Sequence, residues 1–411
     1  MTTHARTAAS GPKADRRGGV PSVRGALAAA YLFAAVMVAT TLPTPLYAIY
    51  AARLSLKPLM ITVIFGAYAV GVVGALLAFG RLADQVGRKP VLFTAIAISA
   101  ASGIVFMTTN TLPGLFVGRA LSGISAGLVT GGATAYISEL YGDRDRGGLL
   151  ATIASMVGLG LGPLIAGLLA EHAAYPTRLP YGVGIALLLP ALSVVFVPDT
   201  VSRRPGGVRT GLKPQRLGVP RDIRVPFAAA AIAGFVGFAL LGFITALVGS
   251  FLSEGLADHS DQTAGIVSFV VFAACTVGQL LVGRLSTQAA SLFGLAVVPI
   301  GLALITAALP AKSLPLFVIG GLVGGAGVGF AFRAAVVSVA TRSPDERRGE
   351  VLSTFFVIAY IGITVPVIGA GVLITTTTLF TATVSLAVLV AVLAVIASVI
   401  LLRLSPGEPA R

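Results

Sequence analysis

Arg119 is the one base that lies well inside an apolar run of this chain, and no acid lies at a matching depth. The run begins near residue 112, which puts Arg119 about 10 Å along a helix rising 1.5 Å per residue. A guanidinium in hydrocarbon faces a cavity or a partner, or else its long stem carries it out to the interface. The fifteen acids lie at the ends of apolar runs, in loops or in tails. Glu254 and Glu139, at the ends of two such runs, are the acids nearest to a buried setting and the candidate proton carriers. His4, His172 and His259 fall in tails or loops, and the lone Cys275 can form no disulfide within one chain. Bond-making chemistry inside the runs would need clustered histidines or carboxylates, and there are none, so no catalytic residue, metal or cofactor is expected. No G-x-x-x-x-G-K-[ST] phosphate loop is present, which disfavours an ATP-driven pump.

The composition accounts for the setting. The chain is 56% hydrophobic and 11% charged, with mean hydropathy +0.96. Soluble domains carry about 25% charged residues. On a scale of about 20 apolar residues per crossing, twelve spans are predicted: 26–50, 58–80, 89–110, 112–137, 147–170, 180–197, 226–253, 262–284, 289–310, 315–340, 349–374 and 378–402. They are apolar all round rather than alternating, which predicts helices and excludes a barrel. The basic first 25 residues lead into a run too long for a cleaved signal, so no leader is expected.

The net charge of +14 does not indicate nucleic acid, because the bases lie in loops between spans rather than on one folded face. With the N-terminus inside, only Arg53, Lys57, Arg178 and Lys312 lie in outer loops. The positive-inside rule then places both termini in the cytoplasm. Arg333, near the inner end of the tenth span, is read as a base that snorkels.

One long connection, 198–225, rich in Pro, Gly and Arg, divides the spans six and six. The expected organisation is a tail (1–25), a six-helix bundle (26–197), a cytoplasmic linker (198–225), a second bundle (226–402) and a tail (403–411). The halves echo each other at an offset of 202 or 203 residues: Gly80-Arg81-Leu82 with Gly283-Arg284-Leu285, Gly123 and Gly127 with Gly325 and Gly329. Two related six-helix halves suit a rocker that exposes a midplane site to each side in turn.

Between the second and third spans stands Gly80-Arg81-Leu82-Ala83-Asp84-Gln85-Val86-Gly87-Arg88-Lys89-Pro90, a charged hairpin with two glycines for a tight turn. It resembles the signature loop of the major facilitator superfamily of transporters, G-x-L-A-D-x-x-G-R-K, at Gly80, Leu82, Ala83, Asp84, Gly87, Arg88 and Lys89. The resemblance implies an all-α membrane fold of twelve helices in two pseudo-symmetric six-helix bundles. It also implies a conformational gate, with Asp84 pairing nearby bases and facing a helix N-terminus of the other half when the cytoplasmic side is shut.

Arg119-Ala-Leu-Ser-Gly123 resembles the superfamily's Arg-x-x-Gln-Gly stretch, with Ser122 in place of Gln. Gly158-Leu-Gly160-Leu-Gly162-Pro163-Leu-Ile-Ala166-Gly167 resembles the G-x-x-x-G-P-x-x-G-G run of antiporters, with Ala166 in place of one Gly. Pro163 should kink that helix while the glycines seat it against a neighbour. In the first span, Pro43 and Pro45 should break the helix and free carbonyls toward a cavity or merely kink its outer rim. Tyr68, Phe235, Phe238 and Phe243 are candidates for the wall of a transport path beside Arg119, or else are packing residues.

The resemblance implies a secondary active transporter of the drug-exporter type, working by alternating access in exchange for protons. It is expected to act as a monomer in the cytoplasmic membrane of a bacterium, with a small molecule, the lipid bilayer and protons as partners. The alternative is a facilitator or importer of a small, anionic metabolite without proton coupling; an anion would supply the charge that Arg119 lacks.

Overall fold

The computed structural model describes residues 22–80, 82–201, 215–344 and 346–404, and every regular element in them is helical. Residues 1–21 and 405–411 of the tails, Arg81, Asp345 and residues 202–214 of the connection lie outside the described residues. Twelve helices have membrane length: α1 (Val23–Leu54), α2 (Pro58–Phe79), α3 (Arg88–Thr108), α4 (Leu112–Tyr141), α5 (Arg144–His172), α6 (Leu179–Phe196), α7 (Arg221–Gly255), α8 (Asp261–Arg284), α9 (Thr287–Ala311), α10 (Leu314–Arg342), α11 (Arg348–Thr376) and α12 (Leu379–Arg403). Hydropathy finds each of them with ends shifted by a few residues. α4 runs to Tyr141 rather than 137 because Ser138 and Glu139 continue the helix beyond the apolar run.

Local chemistry starts the helices. Thr111, Asp143, Ser260 and Thr378 cap α4, α5, α8 and α12 by accepting first-turn N–H groups, and Pro58, Pro113 and Pro315 occupy first-turn positions where no N–H is needed. α1 is interrupted at Leu42, immediately before Pro43 and Pro45, and α7 ends in a π turn at Phe251–Gly255. The charged hairpin is not a bare turn. It holds a five-residue helix, Leu82–Val86, and Arg88 and Lys89 already open α3. Between them Gly87 has φ +100°, and a Cβ there would lie 2.5 Å from a carboxylate oxygen of Asp199. Asp199 needs that space, because it accepts from the N–H groups of Arg88 (3.0 Å) and Lys89 (3.2 Å) and so caps α3.

The first six and last six helices meet chiefly along α5–α8 and α2–α11. At the end away from the basic loops these contacts are tight. A Cβ on Gly167 would lie 2.4 Å from the Asp261 carbonyl, and one on Gly371 would meet Thr62. Beyond Gly167, Glu171 accepts from Ser260 Oγ (3.2 Å), and His172 Nε2 lies 2.7 Å from Gln262 Oε1. At the basic end the described part of the connection bridges α2 and α11. Gln215 N–H donates to the Leu77 carbonyl (2.7 Å), and Gly218 N–H donates to Thr354 Oγ1 (3.0 Å).

Candidate functional site

Between the two sets of helices lies a cavity of about 420 Å³. Its lining starts at Thr40, Thr44 and Arg119, beneath the tight contacts, and reaches Arg144, Gly148 and Ala340 at the basic end. The cavity is closed at one end and extends to the other. That volume suits a drug-sized molecule, for which sites of about 300–1,000 Å³ are usual.

Arg119 forms the closed end. It is 1% exposed, its Nε–H donates to Tyr47 Oη (2.5 Å), and its Nη1 donates to the Thr40 carbonyl (2.9 Å). Both acceptors flank the break in α1, so the interruption at Leu42 presents a carbonyl and a phenol to the guanidinium. The rings of Tyr47, Phe65 and Tyr68 stand 5.0, 5.8 and 5.9 Å from its central carbon. Such contacts attract a cation to the ring faces. No carboxylate among the described residues pairs with Arg119, and its Nη2 has no hydrogen-bond partner.

The side wall is aromatic. Phe238 of α7 packs on Tyr360 (5.3 Å) and Phe332 (5.2 Å), and Tyr360 meets Tyr68 edge-on (6.4 Å). Of the five residues expected along a transport path, Arg119, Tyr68 and Phe238 line the cavity. Phe235 and Phe243 do not: the Phe235 backbone abuts Gly362 of α11, and Phe243 is buried in helix packing. At about 100° per residue, Phe243 is turned about 140° from Phe238. Arg333, expected to snorkel, lines the cavity near its open end. Phe332, Phe356, Tyr360 and Gln279 also line the cavity, and nothing in the composition of their apolar helices marks the face that turns to it.

The antiporter-like run of α5 lies between α1 and α8. A Cβ on Gly158 would meet the Ala34 carbonyl at 2.5 Å and one on Gly162 the Val38 carbonyl at 2.5 Å, both on α1. The Pro163 carbonyl and Gly167 instead face Gly265 of α8. At the basic end Arg88 pairs with Asp84 (2.6 Å) and Glu139 (2.8 Å), and Thr200 Oγ1 also donates to Glu139. Lys89 Nζ donates to the Val195 carbonyl (2.7 Å). Gly80 lies against Gln215 of the connection. Asp84 and Glu139 thus share one arginine at the end of the first helices, away from the cavity lining. Glu254 sits exposed on the π turn of α7, also outside the lining. No cluster of metal-binding side chains occurs among the described residues.

Twelve membrane-length helices around a central cavity define a helical carrier architecture. Residues 27–255 and 234–411 match the Major Facilitator Superfamily, and the chain belongs to it, a family of transporters and not of enzymes. The chain is 28% identical over 210 residues to the inner membrane transport protein YajR of Escherichia coli (strain K12), covering 46% of this chain and 43% of that one. It is 32% identical over 143 residues to multidrug resistance protein 1 of Bacillus subtilis (strain 168), covering 33% of this chain and 36% of that one. These matches span less than half the length of either relative. Among solved structures, a bacterial homologue of the human lysosomal transporter Spinster, crystallised inward-facing and unoccupied, superposes with TM-score 0.72 at 15% identity over 95% of this chain and 100% of that one. The nucleoside transporter NupG superposes with TM-score 0.70 at 15% identity over 92% and 99%. At that identity the likeness is one of fold.

Proposed function

We propose that this protein is a secondary transporter that exports a small, largely apolar molecule across the cytoplasmic membrane by alternating access, in exchange for protons. The aromatic-walled cavity between the two sets of helices carries this reading: it is drug-sized, closed beneath the α5–α8 contacts and extends to the basic end. With both termini in the cytoplasm, that end is the side from which an exporter loads. Residues 26–197 and 226–402 are the bodies proposed to rock. Pro163 and Gly167 serve as the seat between them, Gly158 and Gly162 hold α5 to α1 within the first body, and the Asp84–Arg88–Glu139 cluster serves as part of the cytoplasmic gate. The multidrug resistance name of one relative agrees with export, and proton exchange rests on the antiporter-like run of α5.

Accumulation of a panel of fluorescent dyes, measured in cells stripped of their own exporters and expressing the full chain, tests this reading. Lower accumulation of at least one dye, restored by a protonophore, is the expected result. Accumulation unchanged for every dye, with the protein confirmed in the membrane, would rule out the drug-exporter reading.

A further inference from the structure

We infer that the closed end of the cavity is a subsite for a single carboxylate group, and that the molecule carried is a compact aromatic organic acid. This inference rests on the transporter reading and names its substrate class. A guanidinium has five N–H donors in a fixed fork. In Arg119 the Nε–H and one arm are held by Tyr47 and Thr40, which fixes the plane of the group, while Nη2 has no partner. Thr44 Oγ1, which also belongs to a cavity-lining residue, is buried without a partner, and so is Ser122 Oγ one turn along α4. A buried charge left without a counterion is unfavourable, and a ligand carboxylate that meets it gains a charge-assisted hydrogen bond.

The rest of the cavity specifies the rest of the ligand. Phe65 and Tyr68 adjoin the guanidinium, and the wall continues through Tyr360 and Phe238 to Phe332. A flat aromatic body can therefore lie against rings while its acid group reaches Arg119. The lining holds three arginines, Arg119, Arg144 and Arg333, against one carboxylate, Asp145, which biases the cavity toward anions. Arg144 stands at the far end with Asp145, and only one base faces the closed end, so one negative charge is matched and two are not. An organic cation would meet Arg119 with no acid beside it.

Binding of a matched set of probes to the purified full chain in lipid nanodiscs tests this directly: 1-naphthoate, its neutral amide, and 1-naphthylmethylammonium. We expect the acid to bind at least about tenfold more tightly than the amide, with the ammonium weakest of the three. Arg119→Gln should remove the preference for acid over amide and leave amide affinity within about threefold, and Arg119→Lys should keep part of the preference. If Arg119→Gln fails to fold, Thr44→Val should still weaken the acid about threefold and the amide not at all. Equal affinities for acid and amide, a preference for the ammonium, or no binding of any of the three would overturn the inference. The measurement is made without a gradient. A cell that exports cationic dyes while the protein shows no acid preference would thus sink the substrate class and leave the exporter reading standing.

Discussion

Gly123 and Gly127 of α4 seat that helix against Tyr68 and Val72 of α2, and 202 residues on Gly325 and Gly329 of α10 seat against Val271 and Cys275 of α8. The neighbours correspond as well, since Val271 and Cys275 lie 203 residues after Tyr68 and Val72. The charges of the closed end and of the Arg88 cluster do not correspond. Arg119 falls on Gly321, and Asp84, Arg88 and Glu139 fall on Thr287, Ser291 and Thr341. Lipid gives helices no hydrophobic reason to associate, so close backbone contact must be kept wherever two helices are to stay together. A buried charge is costly and persists only where it has a use. The two halves thus share a packing scheme, whereas the arginine at the closed end and the Asp84–Arg88–Glu139 cluster belong to the first alone.

The strongest way to break this comparison is to crowd the shared contacts. A Cβ would lie 2.1 Å from the Tyr68 carbonyl at Gly123 and 2.5 Å from the Val271 carbonyl at Gly325. Gly123→Leu and Gly325→Leu should each destabilise the folded protein by about 3 kcal/mol, the upper range for overpacking. Thermal unfolding in detergent measures this, and a loss in only one half would contradict a shared scheme. The next effect is smaller and one-sided. Arg88→Ala should lower the unfolding midpoint by the equivalent of about 2 kcal/mol, since Asp84 and Glu139 both lose a charged partner. Ser291→Ala, at the matching position, should change stability by less than about 1 kcal/mol. The smallest contrast is between the hairpins. A Cβ at Gly80 would meet the Leu76 carbonyl at 2.5 Å, whereas one at Gly283 meets nothing within 4 Å. Gly80→Ala should therefore slow dye export measurably, and Gly283→Ala should leave it unchanged.

Span number and the depth of Arg119 were legible because length and charge alone decide them. The prolines of α1 also announced the break that presents the Thr40 carbonyl. What the sequence could not supply was rotation. α7 is apolar on every face, so nothing distinguishes Phe238, which lines the cavity, from Phe235 and Phe243, which do not. Arg333 shows the same limit: its distance from the helix end suits snorkelling, and only the direction of its face puts it in the lining. Asp199 escaped notice as the cap of α3 because its partners lie more than a hundred residues earlier in the chain.

The contacts made by the connection between the halves bear on rate as well as on distance. Two of its contacts, Gln215 with the Leu77 carbonyl and Gly218 with Thr354, tie the basic ends of α2 and α11 through a few residues. If those ends close on each other in each cycle, the tie must be rearranged every time. Two ordinary hydrogen bonds contribute about 1–3 kcal/mol together, which corresponds to a delay of about fivefold to 150-fold in the rate of that step. On the transport cycle proposed above, a tie of that strength would act as a timer for reloading, and substitutions in this strap should change how often the protein turns over without changing what it binds.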